Sequence, residues 1–362
     1  MPKILFHICE GVYPSVVGGM EIFNYYLIKN LTPEVAVFSS LKFDFDTEYI
    51  RYRKIRPAKI FDGIQLFLVL LRRRDIETVV FSYSEAHWLL WHMNMLAVRL
   101  AGREYISIIH HGKAPSSENE KRYREFLRYS AKVISVSDDI KRNYDRVFGT
   151  DCIVIPPLIP FELSSYSKNE CREKFGMEPG YSLICQVGTV KEMKNPQTLI
   201  EALSLFSAPE MEKYNPHVVF AGRNLMQEKL EELIRRVGME ARIHFLDFVP
   251  VETVRDVMRM SDIYVISSDY EGTSVSLLEA MFNSMPILAS DVRGIRDMVS
   301  NEENALMFPV KDACALKDGI INFLESEKLR KTLGNKARET YLARFEYSSV
   351  VDSYKEMLGI KV

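Results

Sequence analysis

The sequence has no apolar run approaching the roughly 20 residues of a membrane-spanning helix. It also lacks a recognisable secretion signal, so a cytoplasmic location is expected. Cysteine is sparse: Cys9, Cys152, Cys171, Cys185 and Cys314 are scattered and odd in number, which argues against a zinc or redox pair and for reduced thiols. Charge of one sign is lacking too, the net value being −2, which argues against the strongly basic face that binds nucleic acid. No metal is expected, because a cation would need clustered carboxylates and the sequence is read as lacking an Asp-x-Asp element.

What the chain does have is length. At 362 residues it exceeds the size at which one core keeps growing, so two domains are expected, with a boundary near residue 160. The 47% hydrophobic and 27% charged content is that of a globular protein. Residues 1–158 hold 22 Lys and Arg against 18 Asp and Glu, and the remainder 25 against 31, so the two parts differ in sign. That asymmetry suggests two domains facing different partners.

The stretch around which the chain is organised is SSDYEGTSVSLLEAMFNSMPILASD, Ser267 to Asp291. The apolar run before it predicts a buried strand, Gly272 breaks the pattern, and Thr273 and Ser274 offer hydroxyls to cap a helix carrying Leu277, Leu278 and Met281. Pro286 stops that helix and ILAS opens another strand. Strand, glycine loop, helix, strand places Glu271 at the carboxyl edge of a parallel sheet and Glu279 two turns into the helix. Between the two carboxylates lies a helix N-terminus suited to a phosphate.

This stretch resembles the EX7E signature of retaining glycosyltransferases with the GT-B fold, in particular glycosyltransferase family four. The resemblance implies that Glu271 holds the donor sugar and Glu279 the nucleotide ribose. It also implies α/β architecture: two facing Rossmann-like domains with parallel sheets, 1–160 on the acceptor side and 161–344 for the nucleotide sugar, and a C-terminal helix, 345–362, that crosses back.

The first part alternates strand and helix from KILFHI onward. Gly18 and Gly19 precede a helix and allow close approach to the backbone. With Glu21 they are similar to the family's GGxE element, and so are candidates for lining the site. His110 and His111 stand at the end of the strand YISIIHHG, where alternation turns only one ring toward a ligand. The family has a His beside the donor sugar here, and the register before Gly112 favours His111. The basic stretch from Arg51 to Lys59, RYRKIRPAK, reads either as a solvated loop or as a contact with an anionic membrane surface.

In the second part, the loop after SLICQVG is where a buried diphosphate would need positive charge. This loop is similar to the family element G-R-L-x-x-x-K-G, with Gly188 and Lys194 in place. It departs at Thr189, where the family has Arg, and at Asn195, where it has Gly; Lys191 or Arg223 can stand in. The reading as a whole is a metal-independent retaining hexosyltransferase of polysaccharide biosynthesis, needing no cofactor. Its donor is a nucleoside diphosphate sugar and its acceptor a hydroxyl of a glycan or a lipid-linked molecule, reached from the cytoplasm or the inner membrane face. A catalytically silent nucleotide-sugar-binding scaffold and a GT-B sugar-nucleotide epimerase are the alternatives.

Overall fold

The computed structural model describes residues 3–8, 19–39, 42–51, 58–83, 88–110, 117–247 and 250–361. The chain divides into two compact units, Met1–Pro160 with Tyr347–Val362, and Phe161–Glu346. Each is built on its own parallel sheet.

Unit 1 contains β1 (Ile4–Ile8), β2 (Val35–Ser39), β3 (Glu48–Arg51), β4 (Thr78–Tyr83), β5 (Glu104–Ile109), β6 (Lys132–Ser135) and β7 (Ile153–Val154), in the order β3-β2-β1-β4-β5-β6-β7. Every pairing is parallel. Central strands are apolar at consecutive positions because helices cover both faces; β2, Val35–Ser39, is buried throughout. The edge strand β3, EYIR, has charged ends and partial exposure, so nothing in its sequence announces a strand. Helix Asp138–Phe148 is capped by Ser137, whose Oγ accepts the Ile140 N–H at 3.3 Å.

The last helix, Tyr347–Met357, belongs to unit 1. Its Tyr354 is fully buried in that core and the hydroxyl donates to the Ile155 carbonyl at 3.2 Å. Asn30 Nδ2 donates to the Tyr347 hydroxyl at 2.6 Å, which fastens the start of the helix to helix Gly19–Leu31.

Unit 2 contains β8 (Ser182–Val187), β9 (Pro216–Ala221), β10 (Ile243–Leu246), β11 (Ile263–Ile266), β12 (Ile287–Ser290) and β13 (Leu306–Phe308), ordered β10-β9-β8-β11-β12-β13 and parallel throughout. The strand order reverses between β8 and β11, which lie side by side. The loops leaving the carboxyl ends of these two strands therefore diverge, opening the crevice in which such sheets take ligands.

Candidate active site

The two divergent loops of unit 2 carry the residues singled out in the sequence. After β8 the backbone passes Gly188 at φ 119, then Thr189 and Val190, and runs through a 3-10 turn, Glu192–Lys194, to Asn195 at φ 44. Asn195 tolerates that left-handed backbone, so it can replace the glycine at this position of the resembling motif. Pro196 then opens helix Pro196–Ser204. A second loop is stitched to the first: Val190 N–H donates to the Arg223 carbonyl at 3.0 Å and Leu225 N–H to the Val190 carbonyl at 2.9 Å. Gly222 is required there, because a Cβ on it would lie 2.4 Å from the Gly188 carbonyl oxygen. Arg223 is thereby held against the same loop as Lys191. Arg223 is exposed, and neither side chain has an ion pair among the described residues. Thr189 is exposed.

Lys194 turns inward. Its Nζ pairs with Glu271 Oε1, and both side chains are largely buried, 18% and 8% exposed. Glu271 Oε1 also accepts from Ser268 Oγ at 2.7 Å, and the Ser268 carbonyl accepts from Ser290 Oγ at 2.7 Å. The Lys194 carbonyl is held from below by Gln186 Nε2 and Ser267 Oγ, each at 3.0 Å. The pair is thus set by a buried polar frame contributed by β8, β12 and the start of the loop that leaves β11. A close ion pair of low exposure needs such a frame, since desolvation offsets much of its attraction unless the remaining hydrogen-bonding groups are satisfied.

Gln186, Ser267, Ser268 and Ser290 were not among the candidate residues. Gln186 alone carried a signal, as a polar residue at the end of the apolar strand SLICQV. Gly294 gave none. A Cβ there would lie 2.1 Å from the Glu271 carbonyl oxygen and 2.4 Å from that of Gly272, so helix Arg293–Arg296 can approach the glutamate loop only because residue 294 has no side chain. Gly294→Ala is expected to displace that loop, lowering the melting temperature by several degrees; a thermal melt checks it. A melt equal to the parent's would show that the loop yields without consequence.

Helix Val275–Phe282 begins beyond Gly272. Ser274 occupies its N-cap position without making a side-chain cap bond, contrary to the capping expected from the sequence. Its hydroxyl lies 3.3 Å from Ser276 Oγ instead. Glu279 is the fifth residue of this short helix, about one turn inside rather than two. It is half-buried, close enough to the buried Cys185 and Tyr264 to help raise both of their ionisations. Burial in turn pushes the Glu279 carboxyl up to about 8. No described residue pairs with it.

The sign of the resulting pH dependence follows from linkage. A carboxyl that holds its proton more tightly folded than unfolded makes the native state bind more protons between about pH 4.5 and 8, so stability falls as pH rises through that window. Glu279→Gln is therefore expected to flatten the fall, melting above the parent at pH 8 while differing little at pH 4. Parallel melting curves for the two proteins across that range would contradict it.

In unit 1, Gly19 opens helix Gly19–Leu31 and is exposed, and Glu21 is in its first turn. Gly18 and His111 lie outside the described residues. His110 Nε2 lies 2.8 Å from Ser82 Oγ and the ring packs edge-on to Phe23 at 4.7 Å, so this imidazole is committed within its own unit. Burial lowers it to about 3, leaving it neutral. The chain does contain one Asp-x-Asp pair, Asp44 and Asp46, and to that extent the expectation that it has none is corrected. Both residues are exposed in the connection between β2 and β3. Among the described residues no three His, Cys, Asp or Glu are grouped to hold a metal.

Residues 167–340, nearly all of unit 2, match the family model of glycosyl transferases group 1. Over that stretch the chain is similar to group 1 glycosyl transferases, and its two parallel-sheet units make the GT-B fold. It is 26% identical over 245 residues to an uncharacterized glycosyltransferase of Methanocaldococcus jannaschii, covering 64% of this chain and 62% of that protein. A second uncharacterized glycosyltransferase of the same organism is 26% identical over 353 residues, 94% of each. Across the first curated relatives the match spans between 47% and 62% of their own length. Among solved structures, Anabaena Alr3699/HepE in complex with UDP superposes with a TM-score of 0.81 at 18% identity, covering 99% of each chain, and the same protein is known with UDP-glucose.

Proposed function

We propose that this protein is a retaining hexosyltransferase that moves a sugar from a nucleoside diphosphate to a hydroxyl of a glycan or lipid-linked acceptor. The observation that carries the reading is the low-exposure Lys194–Glu271 pair at the carboxyl edge of the unit 2 sheet, followed by a helix whose N-cap Ser274 makes no side-chain cap bond and which carries Glu279 about one turn inside. Lys194 and the N–H groups of the 272–275 turn would take the diphosphate, with Lys191 and Arg223 in reach of the same loop. Glu271 would hold the hexose hydroxyls and Glu279 the ribose. In transfer, the bond from the anomeric carbon to the diphosphate oxygen breaks with its electron pair going to the diphosphate. The acceptor oxygen forms the new bond and its proton passes to the released diphosphate. Cations aimed at the leaving group stabilise the charge that develops there.

A metal and a cofactor are not called for by this scheme, which leaves the charge to side chains and backbone. The site would work from the cytoplasm; no helix among the described residues is long and apolar enough to cross a membrane. The UDP and UDP-glucose complexes of Anabaena HepE make uridine donors the first to try. The test is a thermal-shift panel of UDP, GDP and ADP sugars, followed by turnover with an acceptor. A ligand at about 100 times its dissociation constant should stabilise by roughly 2.7 kcal/mol. Glu279→Ala should weaken that response about tenfold in affinity, the loss of one or two good hydrogen bonds. Absence of a shift with every nucleotide sugar would discard the reading, and a shift without turnover would favour the silent scaffold, for which the Thr189 departure is the only support.

A further inference from the structure

Helix Ala58–Arg72 in unit 1 reads AKIFDGIQLFLVLLR. A surface helix ordinarily turns its apolar residues inward and its charges outward. This one does otherwise. Leu66 and Leu70 are buried in the unit 1 core, yet Phe61, Ile64, Leu68 and Leu71 are 38%, 45%, 45% and 49% exposed. Their spacing of three, four and three residues sets them in one stripe along the outer face. Asp62, the one charged residue between Ile60 and Leu71, is only 4% exposed and faces the buried His7, whose Nε2 is 3.6 Å away. The neighbouring helix Trp88–Leu100 lies against this one at Gly63, where a Cβ would stand 2.9 Å from the Met93 carbonyl oxygen. It adds Leu96 and Leu100, 36% and 75% exposed.

The charges stand at the end of the stripe. Arg73 turns back to Glu48 and Asp75, but Arg72 and Arg74 are exposed and have no ion pair among the described residues. An apolar outer face ending in free guanidinium groups complements an apolar layer edged by anions. We infer that this face seats unit 1 on an anionic lipid bilayer, with Phe61, Ile64, Leu68 and Leu71 in the boundary between headgroups and acyl chains and Arg72 and Arg74 at the lipid phosphates. A 15-residue helix is too short to span the bilayer, so it lies in the plane. A second copy of the chain fits less well: six partly exposed side chains offer a few hundred Å², against roughly 800 Å² per partner for a stable interface. The inference goes beyond the transfer reading and does not depend on it. It also differs from a purely basic contact through Arg51 to Lys59, because apolar insertion is not screened by salt.

The experiment is sedimentation of the full-length protein with vesicles of phosphatidylcholine containing phosphatidylglycerol, and of phosphatidylcholine alone, at low and high salt. The parent should bind the anionic vesicles at least tenfold more strongly than the neutral ones, and retain part of that binding at high salt. Ile64→Ser/Leu68→Ser should lower the partition coefficient tenfold or more at both salt concentrations, while Arg72→Glu/Arg74→Glu should lower it mainly at low salt. Circular dichroism of each variant establishes that unit 1 is folded, and the charge variant leaves the helix packing untouched should the apolar one unfold. Failure of the parent to bind anionic vesicles, or equal binding by folded variants, overturns the inference. A concentration-dependent dimer by light scattering that Ile64→Ser/Leu68→Ser disperses would assign the face to a second copy instead, which also overturns it.

Discussion

Replacing Glu271 by Gln is expected to abolish most sugar transfer, about a hundredfold or more in kcat, while nucleotide affinity stays within a few-fold of the parent. The amide still accepts from Ser268 Oγ, which donates at 2.7 Å in the parent, so the loop keeps its anchor. What is removed is the negative charge, and with it the partner of Lys194. A carboxylate placed to bind a hexose whose anomeric centre gains positive charge matters most in the transition state, and little to the nucleotide end of the donor. Single-turnover transfer beside calorimetric titration of the nucleoside diphosphate separates the two quantities. Transfer at the parental rate would end the assignment of Glu271, and a parallel collapse of nucleotide affinity would recast it as part of the diphosphate site.

Lys194→Ala is expected to act twice. Donor affinity should fall about tenfold to a hundredfold, since one charge-assisted hydrogen bond contributes roughly 1.5 to 3 kcal/mol. Stability should fall as well, because the Glu271 carboxylate, 8% exposed, is left without its counter-charge. Breaking a buried pair costs about 3 to 5 kcal/mol, and the partial exposure of Lys194 places this case toward the lower end. A melting point lower by about 5 °C or more is the expected reading. The double variant Lys194→Ala/Glu271→Gln should recover much of that stability but none of the donor affinity, which distinguishes the structural effect from the binding effect. Thr189→Arg should tighten nucleotide binding if the guanidinium enters the site. Donor affinity untouched in Lys194→Ala and lost in Lys191→Ala or Arg223→Ala would move the phosphate charge to those residues.

Much of this architecture could be read along the chain. The apolar runs ILFHI and IYVI, the proline at 196 and the glycine at 272 are local signals, and each works through the backbone of its immediate neighbours. They were enough for alternating strands and helices and for Glu271 at a carboxyl edge. Short or polar edge strands such as β3 and β13 were not legible, because pairing with a neighbour rather than their own pattern makes them strands.

The chemistry of the site was legible only as a set of residue types. That Lys194 meets Glu271 across 77 residues depends on β8 lying beside β11, an ordering set by how helices pack on the sheet. The same packing buries Glu279 enough to push its carboxyl up to about 8, puts Gln186 and Ser267 beneath the Lys194 carbonyl, and leaves Gly294 no room for a methyl group. It also leaves the Phe61, Ile64, Leu68 and Leu71 face uncovered while burying Leu66 and Leu70 of the same helix. Local pattern specifies what a segment becomes, since propensity and periodicity act over a few residues; burial and ion pairing arise between segments, and exist only once the sheets have assembled.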